Sequence, residues 1–207
     1  MYRNMDVLIS TRNQFKATEM AYYLEGLVGV KMHFMKDTAI NITVEEDQNS
    51  LESNAQKKAR EISKLTDWYV LASDGGVDIP GLGDKWDVLR NQRTVGEGKT
   101  DQEKVEVLIE LMKGLKGEER KCVYYLALAI AHKGQLLWSA EGITDIGYIT
   151  TKLEKTAIPP YRWMGHIWYY PEFKKTFNQM NEAERNEVRK VGAKLKNQLQ
   201  AYIRSLI

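Results

Sequence analysis

The sequence predicts an α/β protein in which a central mixed β-sheet is flanked by helices on both faces. In the first half of the chain, short apolar and β-branched runs alternate with amphipathic stretches, a pattern typical of strands that pair in parallel. In the second half, two apolar runs meet at Lys133-Gly134, which predicts a tight hairpin. No repeat or linker divides the sequence, so we expect residues 1–207 to form a single domain.

The individual elements follow from apolar periodicity and from helix-end signals. Ser50 and the Thr100–Glu103 pair have the spacing of helix caps. The predicted helices are 13–27, 51–65, 100–115 and 181–203. The predicted strands are 5–10, 30–35, 40–44, 68–73, 121–132 and 135–141, and the pattern at 143–150 is compatible with one more.

Composition excludes several classes of function. The 30 basic and 28 acidic side chains leave a net charge of +2, which gives no general attraction to nucleic acid or to a membrane surface. No apolar run is long enough to cross a bilayer, and the N-terminus lacks the pattern of a secretory signal. The single cysteine, Cys122, lies in an apolar strand and is expected to be buried and inert. We therefore expect a cytoplasmic protein that does not bind nucleic acid or membranes.

The end of the first predicted strand carries an unusual density of polar donors. Thr11 and Asn13 follow the strand directly, and Lys16 lies one helical turn further on. The free N–H groups and the dipole of a helix start favour a bound anion, so these side chains predict a phosphate cradle. A simpler interpretation also stands, in which Thr11 or Asn13 caps the helix and Lys16 is solvated.

Asp74 follows the strand predicted at 68–73 and precedes Gly75 and Gly76. A carboxylate at this edge of the sheet is a natural ligand for Mg²⁺, which prefers one or two carboxylates together with phosphate oxygens and water. The alternative is an ordinary Asp-Gly turn.

Two further groups of residues have a functional and a structural interpretation. Glu52 is either an acid in the first turn of its helix or a second carboxylate for the metal, and Lys58 is either a phosphate contact or a solvated helix charge. His166 lies in an aromatic cluster that fits either base stacking or packing in the core or in a dimer interface: Trp163, Trp168, Tyr169 and Tyr170.

Three polar segments follow one another in a fixed order: "STRNQFKATE", "SLESNAQKKA" and "LASDGGVDIPGLG". Together with the helix at 100–115 and the later "AEGI", they resemble the inosine triphosphate pyrophosphatase family, also called the Ham1 family of non-canonical purine nucleotide pyrophosphatases. The resemblance implies an elongated fold with a central mixed sheet and two lobes around a cleft, commonly a homodimer. It also implies Mg²⁺-dependent hydrolysis of a nucleoside triphosphate to the monophosphate and pyrophosphate.

The resemblance also implies roles for individual residues. Asp74 would be the central acid and a metal ligand, with Glu52 as helper. The residues expected to contact the substrate are Thr11, Asn13, Lys16, Lys58, Arg90, Trp163 and Lys190.

The chain also departs from the family pattern at several positions. Ser73 stands where the family has the first Asp of a pair, and Ser53 stands where it has the Glu of Glu-Asn-Ala. In "NEVRKVGAKL", the His and Arg with which the family reads the base are absent, and only Lys190 and Gly192 fit. Two functions follow as alternatives: a nucleoside triphosphate pyrophosphatase, or a nucleotide-binding protein of the same fold with little turnover.

Overall fold

The computed structural model describes residues 4–153 and 163–207. The strands are β1 (Met5–Ile9), β2 (Val30–Phe34), β3 (Tyr69–Asp78), β4 (Lys121–His132), β5 (Gln135–Ile149), β6 (Trp168–Tyr170) and β7 (Lys175–Thr176). The α-helices are α1 (Gln14–Leu24), α2 (Leu51–Ser63), α3 (Asn91–Val95), α4 (Asp101–Leu111), α5 (Trp163–Ile167), α6 (Glu182–Val188) and α7 (Ala193–Arg204). Short 3₁₀ helices lie at Met35–Asp37, Pro80–Lys85, Val88–Arg90, Gly117–Arg120, Phe177–Gln179 and Arg189–Gly192.

The strands form one mixed sheet in the order β2-β1-β3-β4-β5-β6-β7. β1 pairs in parallel with β2 and with β3, and Ile9 at its end lies opposite Leu71. β5, β6 and β7 pair antiparallel. The predicted α/β class with a mixed sheet is therefore confirmed.

The chain divides into two compact units. The first comprises Met1–Gly75, Leu126–Gly142 and Ala193–Ile207, and the second comprises Gly76–Tyr125 and Ile143–Gly192. Leu8, Met35, Ile62 and Val70 form one core cluster of the first unit. The core of the second unit contains Cys122, which is fully buried as expected, and three residues of the aromatic cluster: Trp163, Trp168 and Tyr170.

Several predicted helix caps and one predicted hairpin turn are confirmed. Each of them is decided by residues only a few positions apart in the sequence. Ser50 accepts a hydrogen bond from the Ser53 N–H at the start of α2, and Thr100 and Glu103 form a reciprocal capping box on α4. Lys133 and Gly134 both have positive φ angles, of 50° and 81°, which a two-residue hairpin turn of the primed type requires.

The strand predicted at 40–44 is wrong. This segment belongs to no strand among the described residues, although Ile40, Ile42 and Val44 pack against the core cluster of the first unit. Alternate apolar residues are partly buried there without a hydrogen-bonded ladder, so the period of two reflects packing against the core and not strand pairing. The Arg12 guanidinium donates a hydrogen bond to the Ile40 carbonyl oxygen, which ties the segment to the end of β1.

Three element boundaries also differ from the predictions. β3 does not stop before Asp74 but continues to Asp78, and β5 is a single strand of 15 residues where two were expected. At Gly76 a Cβ atom would lie 2.2 Å from the Val88 carbonyl oxygen, so this glycine serves a close backbone approach and not a turn. The long helix predicted at 181–203 is broken by 3₁₀ geometry at Arg189–Gly192, which leaves Val191 exposed.

In the described part of the chain, no helix combines the length and apolar character needed to cross a membrane.

Candidate active site

Asp74 is a buried carboxylate held on a strand. It lies within β3, beyond the residue that pairs with the end of β1, and only 6 % of it is exposed. Its Oδ2 accepts a 2.9 Å hydrogen bond from Nδ2 of Asn54, and its Oδ1 accepts one of 2.9 Å from the Gly75 N–H. An ionised carboxylate can accept about four hydrogen bonds, so capacity remains for water or a cation.

The surroundings of Asp74 make its ionised form costly. Burial raises the pKa of the Asp74 carboxyl, and the negative charge of Glu46 raises it further. The hydrogen bond from Asn54 and the positive charge of Lys58 act in the opposite direction, but the net shift is upward. A raised pKa brings the group closer to the range in which a carboxylate accepts protons near neutral pH.

Lys58 is the fixed cation of this region. Its Nζ lies 2.5 Å from Oε1 of Glu46 and donates a 3.2 Å hydrogen bond to the carbonyl oxygen of Ser73, the residue before Asp74. Although partial burial acts to raise the pKa of Glu46, the charge and hydrogen bond of Lys58 lower it below its ordinary value. Lys58 is therefore not a solvated helix charge.

At the start of α1, the structure shows capping and an exposed charge. Asn13 Oδ1 accepts hydrogen bonds from the N–H groups of Phe15 and Lys16, and Thr11 Oγ1 accepts one from the Asn13 N–H. These N–H groups already have partners, so the attraction for an anion comes mainly from the exposed Lys16 ammonium group and the helix dipole. The charge of Lys16 also contributes to the lowered pKa of Glu46, which connects this helix start with the acidic site.

Glu52 is engaged in a different network. Its Oε1 accepts a 2.5 Å hydrogen bond from the Ser139 hydroxyl, and Gln56 Nε2 donates 2.9 Å and 3.4 Å bonds to Ser139 Oγ and Glu52 Oε1. Glu141 lies close enough to Glu52 for the backbone N–H of Glu52 to act against a rise in the pKa of the Glu141 carboxyl. Burial raises the pKa of Glu141, and the negative charges of Glu52 and Asp74 add to that rise.

The three remaining residues expected at the substrate belong to the second unit. Arg90 ends a 3₁₀ helix and is exposed, and Lys190 is exposed and paired with Glu187 at 2.6 Å. Trp163 begins α5 and packs in the hydrophobic core of its unit, as the packing interpretation expected.

Comparison with known proteins identifies the family. The model of the Ham1 family matches residues 7–199. The chain belongs to the Ham1 family. It is 32 % identical to the dITP/XTP pyrophosphatase of Thermus thermophilus, over 98 % of this chain and 94 % of that protein. It is 29 % identical to the dITP/XTP pyrophosphatase of Clostridium perfringens, over 95 % and 98 % of the two chains.

Solved structures confirm the Ham1 fold. A Ham1 protein from Coxiella burnetii aligns with a TM-score of 0.75 at 21 % identity, over 97 % of this chain and 99 % of that one. The Ham1 protein of Staphylococcus aureus aligns with a TM-score of 0.74 at 20 % identity. The predicted family and fold are thereby confirmed.

The donor set of this Ham1 family chain fits a metal that is completed by its substrate. Within the described residues, no group of three or more His, Cys, Asp or Glu side chains is arranged to hold a metal ion by itself. Mg²⁺ needs fewer protein ligands, because one or two carboxylates suffice when phosphate oxygens and water supply the rest. Asp74 and Glu46 offer such oxygens, and the mutual repulsion that raises the pKa of Asp74 would be relieved by a cation.

Sequence reasoning missed several polar residues that lie beside the expected ones, among them Glu46, Asn54, Gln56, Ser139 and Glu141. A signal for one of them was present, since Asn54 and Lys58 are four residues apart and share a face of α2. Ser139 and Glu141 lie on a distant strand, and nothing in their local sequence connects them with Glu52.

Proposed function

We propose that this protein hydrolyses nucleoside triphosphates to nucleoside monophosphates and pyrophosphate with Mg²⁺. The observation that carries the proposal is the arrangement around Asp74: a buried carboxylate with a raised pKa, a second acid at Glu46, and Lys58 bonded both to Glu46 and to the backbone beside Asp74. The two carboxylates suit a magnesium ion, and the lysine suits the triphosphate that the magnesium accompanies. The relatives from Clostridium perfringens and Thermus thermophilus are dITP/XTP pyrophosphatases, which supports the same reaction.

In the proposed mechanism Asp74 is the general base. A water oxygen bonds to the α-phosphorus while its proton passes to the Asp74 carboxylate. The bond from the α-phosphorus to the bridging oxygen breaks, and its electron pair leaves with pyrophosphate. Burial and the Glu46 charge, which raise the pKa of Asp74, make this carboxylate a stronger base than an exposed one.

The cationic side chains balance the charge that the leaving group gains. Lys58 is held in place by two hydrogen bonds, so little reorganisation is needed when charge develops. Lys16 binds the triphosphate from the start of α1, with Thr11 and Asn13 shaping that turn.

Asp74 and Glu46 are the metal ligands that the contacts favour. When bound, Mg²⁺ neutralises phosphate charge and polarises the phosphorus–oxygen bonds. The role expected for Glu52 as a metal ligand stays a prediction, and its bonds to Ser139 and Gln56 suggest that it stiffens the start of α2.

The residues of the second unit keep their predicted roles as proposals. Arg90 would contact the substrate and Lys190 would lie near the base, whereas the packing of Trp163 in the core of its unit favours its structural interpretation. Lys190 is exposed and pairs only at the surface with Glu187, so its side chain can change partner at little cost.

A nucleotide-binding protein with little turnover is the second candidate. Ser53 and Ser73 favour it, because they stand where the family resemblance leads us to expect carboxylates. Fewer carboxylates would weaken metal binding and leave nucleotide binding through the lysines intact.

We also infer that the protein is a homodimer that works in the reducing cytoplasm. The family resemblance supports the dimer, and the single buried thiol of Cys122 supports a compartment in which no disulfide is needed. Size-exclusion chromatography with light scattering tests the dimer, and a single peak at the 23.9 kDa of one chain would contradict it.

Pyrophosphate release across a panel of nucleoside triphosphates tests the proposed function. Release that requires Mg²⁺ and is accompanied by an equal amount of monophosphate is the expected result. Nucleotide-induced thermal stabilisation without pyrophosphate release would support the second candidate, and release of orthophosphate would contradict both.

A further inference from the structure

We propose that Asn54 is a positioning residue that holds Asp74 and the acidic loop 45–49 at a fixed separation through one buried amide. The inference rests on the proposed function, since it gives Asp74 and Glu46 their metal and substrate roles. It adds a residue that touches neither the metal nor the nucleotide in that mechanism.

The two hydrogen bonds of the Asn54 side chain fix its orientation. Its Oδ1 accepts a 2.9 Å bond from the backbone N–H of Gln48, and its Nδ2 donates a 2.9 Å bond to Oδ2 of Asp74. A backbone N–H can only donate, so the amide oxygen must face Gln48 and the NH₂ group must face the carboxylate. Asn54 and Asp74 are both buried, with 3 % and 6 % exposed, so the bond between them is made without competition from water, whereas the bond from Gln48 is partly buried.

Asn54 is anchored on a rigid part of the molecule. Its backbone N–H donates to the Ser50 carbonyl oxygen at 3.1 Å, and the Ser50 side chain caps the same turn of α2. A side chain on a capped first turn has little freedom to drift. The position of its amide is therefore set by α2 and not by the loop.

The loop 45–49 has no regular secondary structure and depends on α2 for its position. Three side chains of α2 hold it: Lys57 pairs with Asp47 at 2.7 Å, Lys58 pairs with Glu46 at 2.5 Å, and Asn54 binds the Gln48 backbone. Of these three only Asn54 is fully buried, and only Asn54 also bonds to Asp74. One amide thus couples the position of the loop that carries Glu46 to that of Asp74.

The test compares Asn54→Ala with Gln200→Ala in the full-length protein. Gln200 is the matched control, a buried amide in α7 whose Nε2 donates to the carbonyl oxygens of Tyr23 and Glu25. Both variants lose a buried amide, but only the first loses contact with Asp74. We measure kcat and KM for a nucleoside triphosphate with Mg²⁺, and the Kd for Mn²⁺ by isothermal titration calorimetry without nucleotide.

For Asn54→Ala we expect kcat to fall by about tenfold or more and the Kd for Mn²⁺ to rise by about tenfold, the usual scale for losing a group that orients a metal ligand. We expect KM to stay within about threefold, because the residues that bind phosphate are untouched. Gln200→Ala is expected to keep all three values while losing thermal stability.

Three results would decide against the inference or separate it from the proposed function. If Asn54→Ala is folded and keeps the wild-type kcat and Mn²⁺ affinity, the inference is overturned. If wild-type protein releases no pyrophosphate, the proposed function fails, and the Mn²⁺ titration alone decides whether Asn54 positions the two acids. If Asn54→Ala does not fold, Asn54→Ser replaces it, because the shorter hydroxyl side chain stays polar but cannot bridge the Gln48 N–H and the Asp74 carboxylate. An unchanged kcat would then overturn the inference.

Discussion

Lys58 and Glu46 form an ion pair in which the lysine is much the more buried partner, with 17 % of its side chain exposed against 46 % for the glutamate. The same ammonium group reaches the Ser73 carbonyl oxygen, so it is tied to the helix, the acidic loop and the strand that carries Asp74. A cation held in this way keeps its position when an anion approaches. Its neighbour Lys57 forms a pair of the same kind with Asp47 but makes no such link to the strand in the described residues.

Replacing Lys58 by Met tests the role of this cation. We expect Lys58→Met to lower kcat/KM by about a hundredfold, because a preorganised charge that stabilises the transition state is lost. Lys57→Met is the matched control on the adjacent position and should change kcat/KM by less than about threefold, as for an ordinary surface ion pair. Equal effects of the two substitutions on pyrophosphate release would show that Lys58 acts only as a surface charge.

Replacing Asp74 by Asn removes the proposed general base and keeps its shape. We expect kcat to fall by about a hundredfold or more, on the scale of losing one general base. Asp47→Asn, which removes an exposed acid from the loop, should leave kcat nearly unchanged. A folded Asp74→Asn protein with the wild-type kcat would show that Asp74 has no role in proton transfer.

Replacing Lys16 by Ala should affect binding as well as turnover. A lysine at a helix start attracts phosphate in the ground state and in the transition state, so we expect KM for the triphosphate to rise about tenfold and kcat to fall less. Lys36→Ala, an exposed lysine of the same unit, is the control. If Lys16→Ala and Lys36→Ala gave the same KM, Lys16 would have no role in binding the triphosphate.

The raised pKa of Asp74 predicts how stability depends on pH. Its pKa in the folded protein lies above the unfolded value of about 3.9, so the folded state binds this proton more tightly. The resulting stabilisation is fully present below the unfolded pKa and is lost as pH rises through the folded pKa. Relative to Asp74→Asn, wild-type protein should therefore lose melting temperature as pH rises above the unfolded pKa of about 3.9 and through the raised pKa of the folded protein, in the presence of a chelator. If the melting temperature of wild-type protein instead rose relative to that of Asp74→Asn as pH increased, the upward pKa shift of Asp74 would be contradicted.

Base selectivity should be weaker than the names of the relatives suggest. The His and Arg expected to read the purine are absent from "NEVRKVGAKL", and one lost hydrogen bond is worth about 1 kcal/mol. We expect kcat/KM for dITP and XTP to exceed the values for ATP and GTP by about tenfold or less. A preference above about a thousandfold would show that other residues read the base, and Lys190→Ala would then be the first variant to measure.

The parts of the fold that could be predicted from the sequence are those decided by residues close together along the chain. The cap at Ser50, the capping box of Thr100 and Glu103, and the hairpin at Lys133-Gly134 are each decided within a few residues. The family was recognisable because its motifs keep their order even where single residues differ.

The predictions that failed depended on contacts between distant segments. A glycine in a strand and a glycine in a turn look alike, and only the approach of Val88 to Gly76 shows why β3 continues past Asp74. Likewise, the alternation at 40–44 indicated which face packs against the core, but it could not reveal that the segment forms no strand among the described residues.

The candidate site was predicted in part for the same reason. Lys58 and Asp74 could be found from motifs, but Glu46 lies in an irregular loop, and its position depends on Asn54 and Lys58 of α2. An acid in a loop has no periodicity to mark it, so its partner could be found only in three dimensions.

The segment 40–44 packs partly buried apolar side chains against the core, while its backbone belongs to no strand among the described residues. Such a chain is held by packing, by the bond from Arg12 to the Ile40 carbonyl oxygen and by the bond from the Ile40 N–H to Thr38 Oγ1, without the cooperative ladder that protects a strand. Methods that follow amide protons would report it as loose, while methods that follow methyl groups would report it as ordered. It can consequently shift by small steps without breaking the sheet, and it leads directly into the acidic loop, so the spacing of the proposed site can be adjusted in evolution by changing residues that never touch the substrate.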